Sequence, residues 1–168
     1  MTGQRGYLQD CCNRYGDFKV AVAWTDNDGN PHWSKHRSVM SCWESEEGLR
    51  FLDRANNRQL FPHEIVLDLD DDFSEKKLSD TCELLQKFHL AYQAYSSGSR
   101  GYHIHILLLS GQIMEARRNF LSLDEARRYL INLCLADPAK IRSNSMIALQ
   151  NAPHWKTGRV KTLLRSWP

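Results

Sequence analysis

The chain has 168 residues, of which 42% are hydrophobic and 25% are charged, and its formal net charge is +2. This balance is typical of one globular domain with a real core, and it excludes collagen-like, low-complexity and strongly basic chains. No apolar run is long enough to cross a bilayer, and the polar residues 1–6 do not precede a signal-peptide core. We therefore expect a cytoplasmic protein without a membrane partner.

The cysteines and the distribution of charge further limit the kinds of functional site that the chain could carry. The five cysteines include no C-x-x-C pair, which argues against a disulfide framework or a zinc site and predicts small core residues. Residues 68–72 hold four acids, whereas residues 154–165 hold four cations and no acid. Patches of opposite sign in one small chain suit a metal site beside a polyanion, although solvated surface charge is the alternative.

In the N-terminal third, the sequence predicts a helix or arm at residues 1–17 and a strand at 18–24. A hairpin turn at 25–30 and a returning strand at 31–40 are expected to follow. The turn has Asp28-Gly29 at its centre, which is typical of hairpins. Ser45, followed by two glutamates, predicts the start of a helix that ends near residue 56.

Further along the chain, the sequence predicts a strand at residues 64–70 and a helix at 74–89. A short strand at 91–95, a glycine turn at 96–101 and a strand at 102–109 are expected next. A capping box at Ser122 opens a helix to about Cys134. Two short strands, residues 145–149 and 160–164, then flank a loop. Strands and helices are mixed, so the predicted class is α+β, one sheet with packed helices.

The first chemical motif is a D-x-D at the end of an apolar strand. Asp68 and Asp70 are two residues apart, so in a strand both carboxylates project from one face. Two carboxylates this close repel each other unless a divalent cation lies between them. Such a pair is what a two-metal phosphoryl-transfer site needs. The alternative is a polar strand end that runs into an acidic turn at Asp71 and Asp72.

The second motif is the glycine turn and the strand after it. Backbone N–H groups of such a turn can approach an anion, and Ser97 and Arg100 can contact phosphate oxygens. In the strand, His103 and His105 share one face. We expect His103 to touch a triphosphate and His105 to be a core or supporting histidine. An ordinary hairpin loop is the alternative.

The third motif is a cationic loop near the C-terminus. His154 and Lys156 precede Gly158, and Arg159 and Lys161 follow on a predicted strand. This edge could hold the phosphates of a nucleotide or the backbone of a template. A basic β-turn between two strands is the alternative.

In this order the three motifs resemble those of the archaeo-eukaryotic primase superfamily. That family includes the replicative primase small subunit, primase-polymerases and the polymerase domain of bacterial end-joining ligases. The resemblance covers about residues 60–165. The cysteine-rich zinc module of replicative primases is absent, so no zinc is expected. The cation and the serine that replicative primases carry before the loop histidine are replaced by Ala148 and Ala152.

The resemblance implies an RRM-like primase-polymerase core with a mixed or antiparallel sheet. It implies one catalytic domain over residues 1–168, with a hairpin-and-helix subregion at 1–60 and a motif-bearing core at 61–168. The implied activity is that of a template-dependent DNA primase or polymerase. Such an enzyme adds nucleotides from NTPs or dNTPs by two-metal catalysis. The 3′-hydroxyl of the primer or of the first nucleotide attacks the incoming nucleotide, and pyrophosphate leaves.

The same resemblance assigns roles to residues. Three acids would be catalytic and would hold two Mg²⁺ or Mn²⁺ ions: Asp68, Asp70 and Asp137. Asp137 precedes His154 by 17 residues, close to the family spacing, and Asp124 is the fallback. The nucleotide would be bound by Ser97, Arg100, His103, His154 and Lys156. The DNA template and primer would be contacted by Lys35, Arg37, Arg159 and Lys161. Further replication or repair subunits are the remaining expected partners.

Two other functions are open to the sequence. His103-Ile104-His105 also matches the histidine-hydrophobe-histidine of rolling-circle endonucleases, in which a helical tyrosine attacks DNA, and Tyr129 is available for that role. That reading leaves the D-x-D and the cationic loop unexplained. The other alternative is a primase-like subunit that binds nucleic acid without catalysis.

Overall fold

A computed structural model describes residues 3–70, 74–120 and 122–168. The chain divides into two compact units, one formed by residues 1–61 and 146–161, the other by residues 62–145 and 162–168. Both units combine helices with antiparallel strands, so the predicted α+β class is confirmed. The prediction of one sheet is wrong, because the described strands form two four-stranded sheets and a two-stranded ribbon. In the described part of the chain, no helix has the length and apolar character needed to span a membrane.

The first unit contains these elements: α1 (Gln4–Tyr15), β1 (Lys19–Ala21), β2 (Ala23–Thr25), β3 (Pro31–Trp33), β4 (Arg37–Ser38), α2 (Val39–Cys42), α3 (Glu46–Arg54), β5 (Asn57–Gln59) and β9 (Met146–Ala148). Four strands form a sheet in the order β4-β1-β5-β9, and β2 and β3 form a separate antiparallel ribbon. Residues 146–161 thus join the N-terminal segment through the pairing of β9 with β5.

Two predicted strands of this unit are shorter than expected. The predicted strand 18–24 is interrupted at Val22, whose N–H donates to Ser34 Oγ and whose carbonyl accepts from the Ser34 N–H, each at 2.9 Å. The returning strand does not continue to residue 40, because the Ser38 hydroxyl caps α2 by accepting from the Ser41 N–H at 3.1 Å. Both differences come from serine side chains that compete for backbone groups.

The second unit contains β6 (Glu64–Leu69), α4 (Glu75–Lys87), β7 (Tyr92–Ser96), β8 (Tyr102–Leu107), α5 (Ser110–Asn119), α6 (Leu123–Leu133) and β10 (Leu163–Trp167). Its sheet has the order β10-β7-β8-β6 with antiparallel neighbours. Strands β6 and β7 are connected by α4 and are separated by β8. This is the split β-α-β arrangement, and it places the two motif-bearing strands, β6 and β8, side by side.

One face of this sheet is the core of the unit. It consists of alternate residues of β6 and β8, namely Ile65, Leu67, Leu69, Ile104 and Ile106, all of which are buried. They pack against apolar residues of α4 and α6, among them Leu78, Leu85, Leu130 and Ile131. Because side chains alternate along a strand, the intervening residues point to the other face. That face carries the polar residues Glu64, Asp68, His103 and His105.

Local helix signals were predicted well. The hydroxyls of Ser45, Ser74 and Ser122 each accept a hydrogen bond from the N–H three residues later, at 3.1–3.3 Å, and begin α3, α4 and α6. All five cysteines are buried thiols, as expected. Helix α5 was not predicted, and β10 begins three residues later than the predicted strand 160–164. The predicted acidic turn at Asp71 and Asp72 lies outside the described residues.

Candidate active site

Asp68 is the centre of the candidate site. It lies opposite His103 in the register of β6 and β8, so the two side chains share the polar face of the sheet. Its Oδ1 is 3.1 Å from Nε2 of His103, and its Oδ2 is 3.3 Å from Nζ of Lys140. The Asp68 side chain is only 14% exposed, so both contacts are shielded from water.

Asp137 is held beside Asp68 through the backbone. Its N–H donates a 2.9 Å hydrogen bond to the Asp68 carbonyl oxygen. Its side chain caps the 3₁₀ turn Pro138–Lys140, where Oδ1 accepts from the Ala139 N–H at 2.9 Å. The proline fixes the start of that turn and directs Lys140 back toward the acids. Nζ of Lys140 is 3.9 Å from Asp137 Oδ2, so one ammonium contacts both carboxylates.

The charges around Asp68 explain its protonation state. Burial alone would raise the pKa of its carboxyl. The hydrogen bond and charge of His103, together with the Lys140 ammonium, outweigh burial and hold this pKa well below its usual range. Asp68 is therefore a carboxylate near neutral pH, available to a cation.

The donor set fits a hard divalent cation. Two carboxylates, from Asp68 and Asp137, converge on one positive charge, which is the chemistry that Mg²⁺ and Mn²⁺ bind. Asp70 directly follows β6 and is exposed. Within the described ranges, no three His, Cys, Asp or Glu side chains are already gathered as a metal-binding group. In this structure Lys140 supplies the positive charge between the acids.

The glycine turn packs directly on the end of β6. Gly98 and Gly101 have φ values of +79° and +94°, which side chains rarely adopt. A Cβ at Gly101 would collide with the carbonyl oxygen of Leu69 and lie 3.2 Å from Cα of Asp70. Only a glycine fits there, so the turn touches the D-x-D backbone.

Ser97 closes the turn from inside. Its N–H donates to the Gly101 carbonyl at 3.1 Å, and its buried hydroxyl donates to the Arg100 carbonyl at 3.0 Å and accepts from the Ser99 N–H at 3.2 Å. The Arg100 side chain is exposed. Ser97 thus shapes the turn, and Arg100 is presented from it.

A second acid–histidine pair lies next to the first. His105 Nδ1 is 2.8 Å from Glu64 Oε1, and both side chains are buried. Tyr95 packs edge-on against His105, with ring centroids 5.4 Å apart. His105 is therefore a satisfied core histidine, as expected. The ladder of two pairs gives the polar face a fixed arrangement beside Asp68.

Arg127 ties this face to α6. Its buried guanidinium donates to the carbonyl oxygens of Glu64 at 2.9 Å and Pro62 at 3.1 Å, and to Asp124 Oδ1 at 2.7 Å. Asp124, the fallback third acid, is thus linked to the beginning of β6, whereas Asp68 lies at its end. Among the described residues it is Asp137 that the fold brings to Asp68.

Tyr129 of the endonuclease alternative lies on the other side of the sheet. It packs against Phe120, with ring centroids 5.6 Å apart, and lines a cavity of about 250 Å³ together with Ile65. Ile65 points into the core, away from the face that carries His103 and His105. The fold therefore does not bring Tyr129 to the two histidines.

The cationic loop belongs to the first unit. It is closed by a bridge between Pro153 and Val160 and by a 2.8 Å hydrogen bond from the His154 N–H to the Arg159 carbonyl. The carbonyl of His154 also accepts from the Gly158 N–H at 2.8 Å. Gly158 has a φ of +69°, which allows this tight turn.

His154 is held in one neutral form. Burial and the positive charges of Lys156 and Lys161 lower its pKa. Its Nδ1 accepts from the Lys156 N–H at 3.2 Å, so the neutral ring carries its proton on Nε2. The ring can thus donate one hydrogen bond from Nε2 to an acceptor such as a phosphate oxygen.

The predicted DNA-binding cations differ in accessibility. Lys35 and Arg159 are exposed, as is Lys156, whereas Lys161 is only 7% exposed. Arg37 is paired with Glu47 at 2.9 Å and lies over the ring of Phe51. Their roles in binding nucleic acid stay predictions.

Lys140 is the site residue that sequence reasoning missed. Its signal was the segment Asp137-Pro138-Ala139-Lys140, in which a proline-started turn brings an acid and a lysine three residues apart to one side. The contact of that turn with Asp68 is tertiary and leaves no local trace.

No protein-family model matches the chain, and no curated protein matches its sequence.

Proposed function

We propose that the protein is a metal-dependent nucleotidyltransferase of the primase-polymerase type, which extends a 3′-hydroxyl on a DNA template with nucleotides from NTPs or dNTPs. One observation carries the proposal. The carboxylates of Asp68 and Asp137 converge on one cation at the strand end where Gly101 packs against the D-x-D backbone. A pair of acids that can hold metal ions and a turn that can bind phosphate are the two parts that a phosphoryl-transfer site requires.

Asp68, Asp70 and Asp137 are the proposed ligands of two Mg²⁺ or Mn²⁺ ions. When bound, such ions lower the pKa of an attacking hydroxyl and neutralise a leaving pyrophosphate. Asp68 suits this role because it stays ionised, and His103 fixes the orientation of its carboxylate. No further general base from the protein is needed for this chemistry.

The glycine turn is the proposed triphosphate site. Ser97 holds the turn in shape, Arg100 supplies a forked cation, and His103 lies on the strand that leaves the turn. His103 is a proposed nucleotide contact as well, while in this structure its Nε2 is engaged by Asp68 and its side chain is 8% exposed. His154 and Lys156 are further proposed nucleotide contacts.

The topology of the second unit supports an RRM-like core. The split β-α-β formed by β6, α4 and β7, with β8 between the strands, is the arrangement on which ferredoxin-like and RRM-like folds are built. The last strand departs from that pattern, since β10 pairs with β7 rather than with β6. The turn that carries Asp137 instead contacts the end of β6.

A primer-extension assay tests the proposal. The wild-type chain is incubated with Mn²⁺ or Mg²⁺, labelled NTPs and dNTPs in parallel, and a primed single-stranded template. We expect extension by the base complementary to the template. Asp68→Asn and Asp137→Asn should lose at least 100-fold in rate, about 2.7 kcal/mol of transition-state stabilisation. Asp80→Asn, an exposed carboxylate on α4, is the matched control and should extend normally.

The outcomes separate the competing functions. No extension by the wild type, or equal extension by the wild type and Asp68→Asn, would contradict catalysis at this site. Template binding without extension would favour a non-catalytic subunit. Covalent capture of DNA that Tyr129→Phe abolishes would favour the endonuclease.

A further inference from the structure

Two tryptophans of the first unit meet at its surface. Trp33 ends β3, and Trp155 lies in the cationic loop, yet their ring centroids are 6.2 Å apart at an interplanar angle of 65°. The His154 ring stacks on Trp155 at 5.8 Å and 21°, and Nζ of Lys156 lies 4.9 Å from the Trp155 ring centroid. These four side chains form what we call the aromatic platform.

The platform is more accessible than packing alone requires. Trp33 is 48% exposed, Trp155 is half-buried and Lys156 is exposed. An indole ring that is half in water has free apolar surface with which it can contact a partner. The Trp33 ring therefore offers free surface beside Trp155, and Lys156 adds a positive charge.

The charge around the platform favours a polyanion. The two segments that supply it, residues 31–43 and 145–161, contain no acid, and they carry three exposed cations, Lys35, Lys156 and Arg159. Alternating cations and aromatic rings are the composition that binds single-stranded nucleic acid, in which bases stack and phosphates meet cations.

The ribbon that carries Trp33 is internally braced. The Asp26 carboxylate accepts from the N–H groups of Asp28 at 3.0 Å and Asn30 at 2.8 Å, and lies 2.9 Å from Nε2 of His32. His32 and these N–H groups lower the pKa of Asp26 to about 2, so this carboxylate stays ionised near neutral pH and can accept these hydrogen bonds. A preformed platform loses little conformational entropy on binding.

We infer that the platform of Trp33, His154, Trp155 and Lys156 binds single-stranded DNA by base stacking. This inference deepens the proposed function and rests on it for the choice of DNA, since a template-dependent enzyme must hold an unpaired template strand. The bases stack on Trp33 and Trp155, and Lys156 meets a phosphate.

The test is equilibrium binding of a fluorescein-labelled oligo(dT) of about 20 nucleotides to the full chain, by anisotropy, in EDTA and without nucleotides. Trp33→Leu and Trp155→Leu should each weaken binding about 5- to 150-fold, whereas Trp33→Phe should restore most of it. Trp24→Leu is the matched control, because Trp24 is 43% exposed on the same ribbon but pairs with His32 on its other face. It should bind like the wild type.

The salt dependence of the oligonucleotide affinity distinguishes the contribution of base stacking from that of the Lys156 charge. Lys156→Met should lower the slope of log affinity against log salt by about 0.7, whereas Trp33→Leu should leave the slope unchanged. Thermal melts of each variant show whether the ribbon is folded, and the Trp33→Phe variant keeps the test valid if Trp33→Leu unfolds.

Three results would overturn the inference: wild-type affinity in both leucine variants, an equal loss in Trp24→Leu, or tighter binding of oligo(U) than of oligo(dT). Asp68→Asn should bind the oligonucleotide normally. Normal DNA binding without extension by the wild type would sink the proposed function alone, and extension with unaffected platform variants would sink this inference alone.

Discussion

The backbone N–H of Asp137 donates a 2.9 Å hydrogen bond to the carbonyl oxygen of Asp68. Two acids that are far apart in the chain thereby become neighbours at the end of β6, and Lys140 contacts both side chains. Two carboxylates held this close together, one of them largely buried, are unfavourable without a cation. The protein itself supplies one, in the position where the proposed function needs a metal.

Replacement of Lys140 should show whether its ammonium and a divalent metal ion compete for the same two carboxylates. Lys140→Met removes the ammonium that neutralises the two acids, so we expect the metal-free protein to lose about 1–3 kcal/mol of stability. A divalent ion then meets no resident cation, and Mn²⁺ should bind the variant more tightly than the wild type. Calorimetric titration with Mn²⁺ and thermal melts with and without Mn²⁺ measure both effects.

Lys76→Met is the control for that experiment, because Lys76 forms an exposed ion pair with Asp80 on α4. It should change neither stability nor Mn²⁺ affinity noticeably. Weaker Mn²⁺ binding by Lys140→Met than by the wild type would contradict the view that Lys140 occupies the place of the metal.

Gly101→Ala should damage the fold of the turn. A side chain at a φ of +94° costs about 1–3 kcal/mol, and the new methyl group would also collide with the Leu69 carbonyl. Urea denaturation should therefore show a loss of at least that size. Gly111→Ala is the comparison, since Gly111 is helical with open space around it, and there alanine should stabilise by about 0.4–1 kcal/mol. Equal stability of the two variants would show that the turn does not pack as described.

His154 should titrate below its ordinary pKa of 6.5. Between its folded pKa and about 6.5 the unfolded chain binds more protons than the folded one, so this group's contribution to stability falls as pH decreases through that window. Lys156→Met removes one of the neighbouring cations and should raise the His154 pKa, whereas Lys87→Met on α4 should not. NMR titration of the imidazole nitrogens measures the value, and an unshifted or raised pKa in the wild type would contradict the described loop.

Arg127 should be among the most sensitive positions of the second unit. Arg127→Lys keeps the charge but cannot make three forked hydrogen bonds, so buried carbonyls of Pro62 and Glu64 lose donors. We expect a loss of about 2–4 kcal/mol in urea denaturation. Arg128→Lys, the exposed neighbour, should stay within about 0.5 kcal/mol of the wild type. A tolerated Arg127→Lys would mean that the network adds little to stability.

The sequence predicted those features that local rules determine. Three helices were predicted from their serine caps, Ser45, Ser74 and Ser122, because a hydroxyl cap is a contact within four residues of the chain. The prediction that His103 and His105 share one face of β8 followed from the two-residue period of a strand. The α+β class followed from the order of the elements.

The features that escaped prediction depend on tertiary contacts. Lys140 lies between two acids only because the turn after Asp137 docks on β6, and no local pattern encodes that docking. Helix α5 has Leu109 as its N-cap, and a leucine side chain gives no capping signal in the sequence. The Leu109 N–H donates instead to Gln112 Oε1 at 2.9 Å. Trp33 and Trp155 are distant in sequence, so their meeting was invisible until the fold placed β3 beside the loop.

The most direct test of nucleotidyl transfer at Asp68 is pyrophosphate release on a primed template, measured for the wild type and for Asp68→Asn with Mn²⁺ present. We predict that the wild type releases one pyrophosphate for each complementary nucleotide added, and that Asp68→Asn releases it at least 100-fold more slowly. A wild type that releases none, or a variant that releases it at the wild-type rate, would contradict the account.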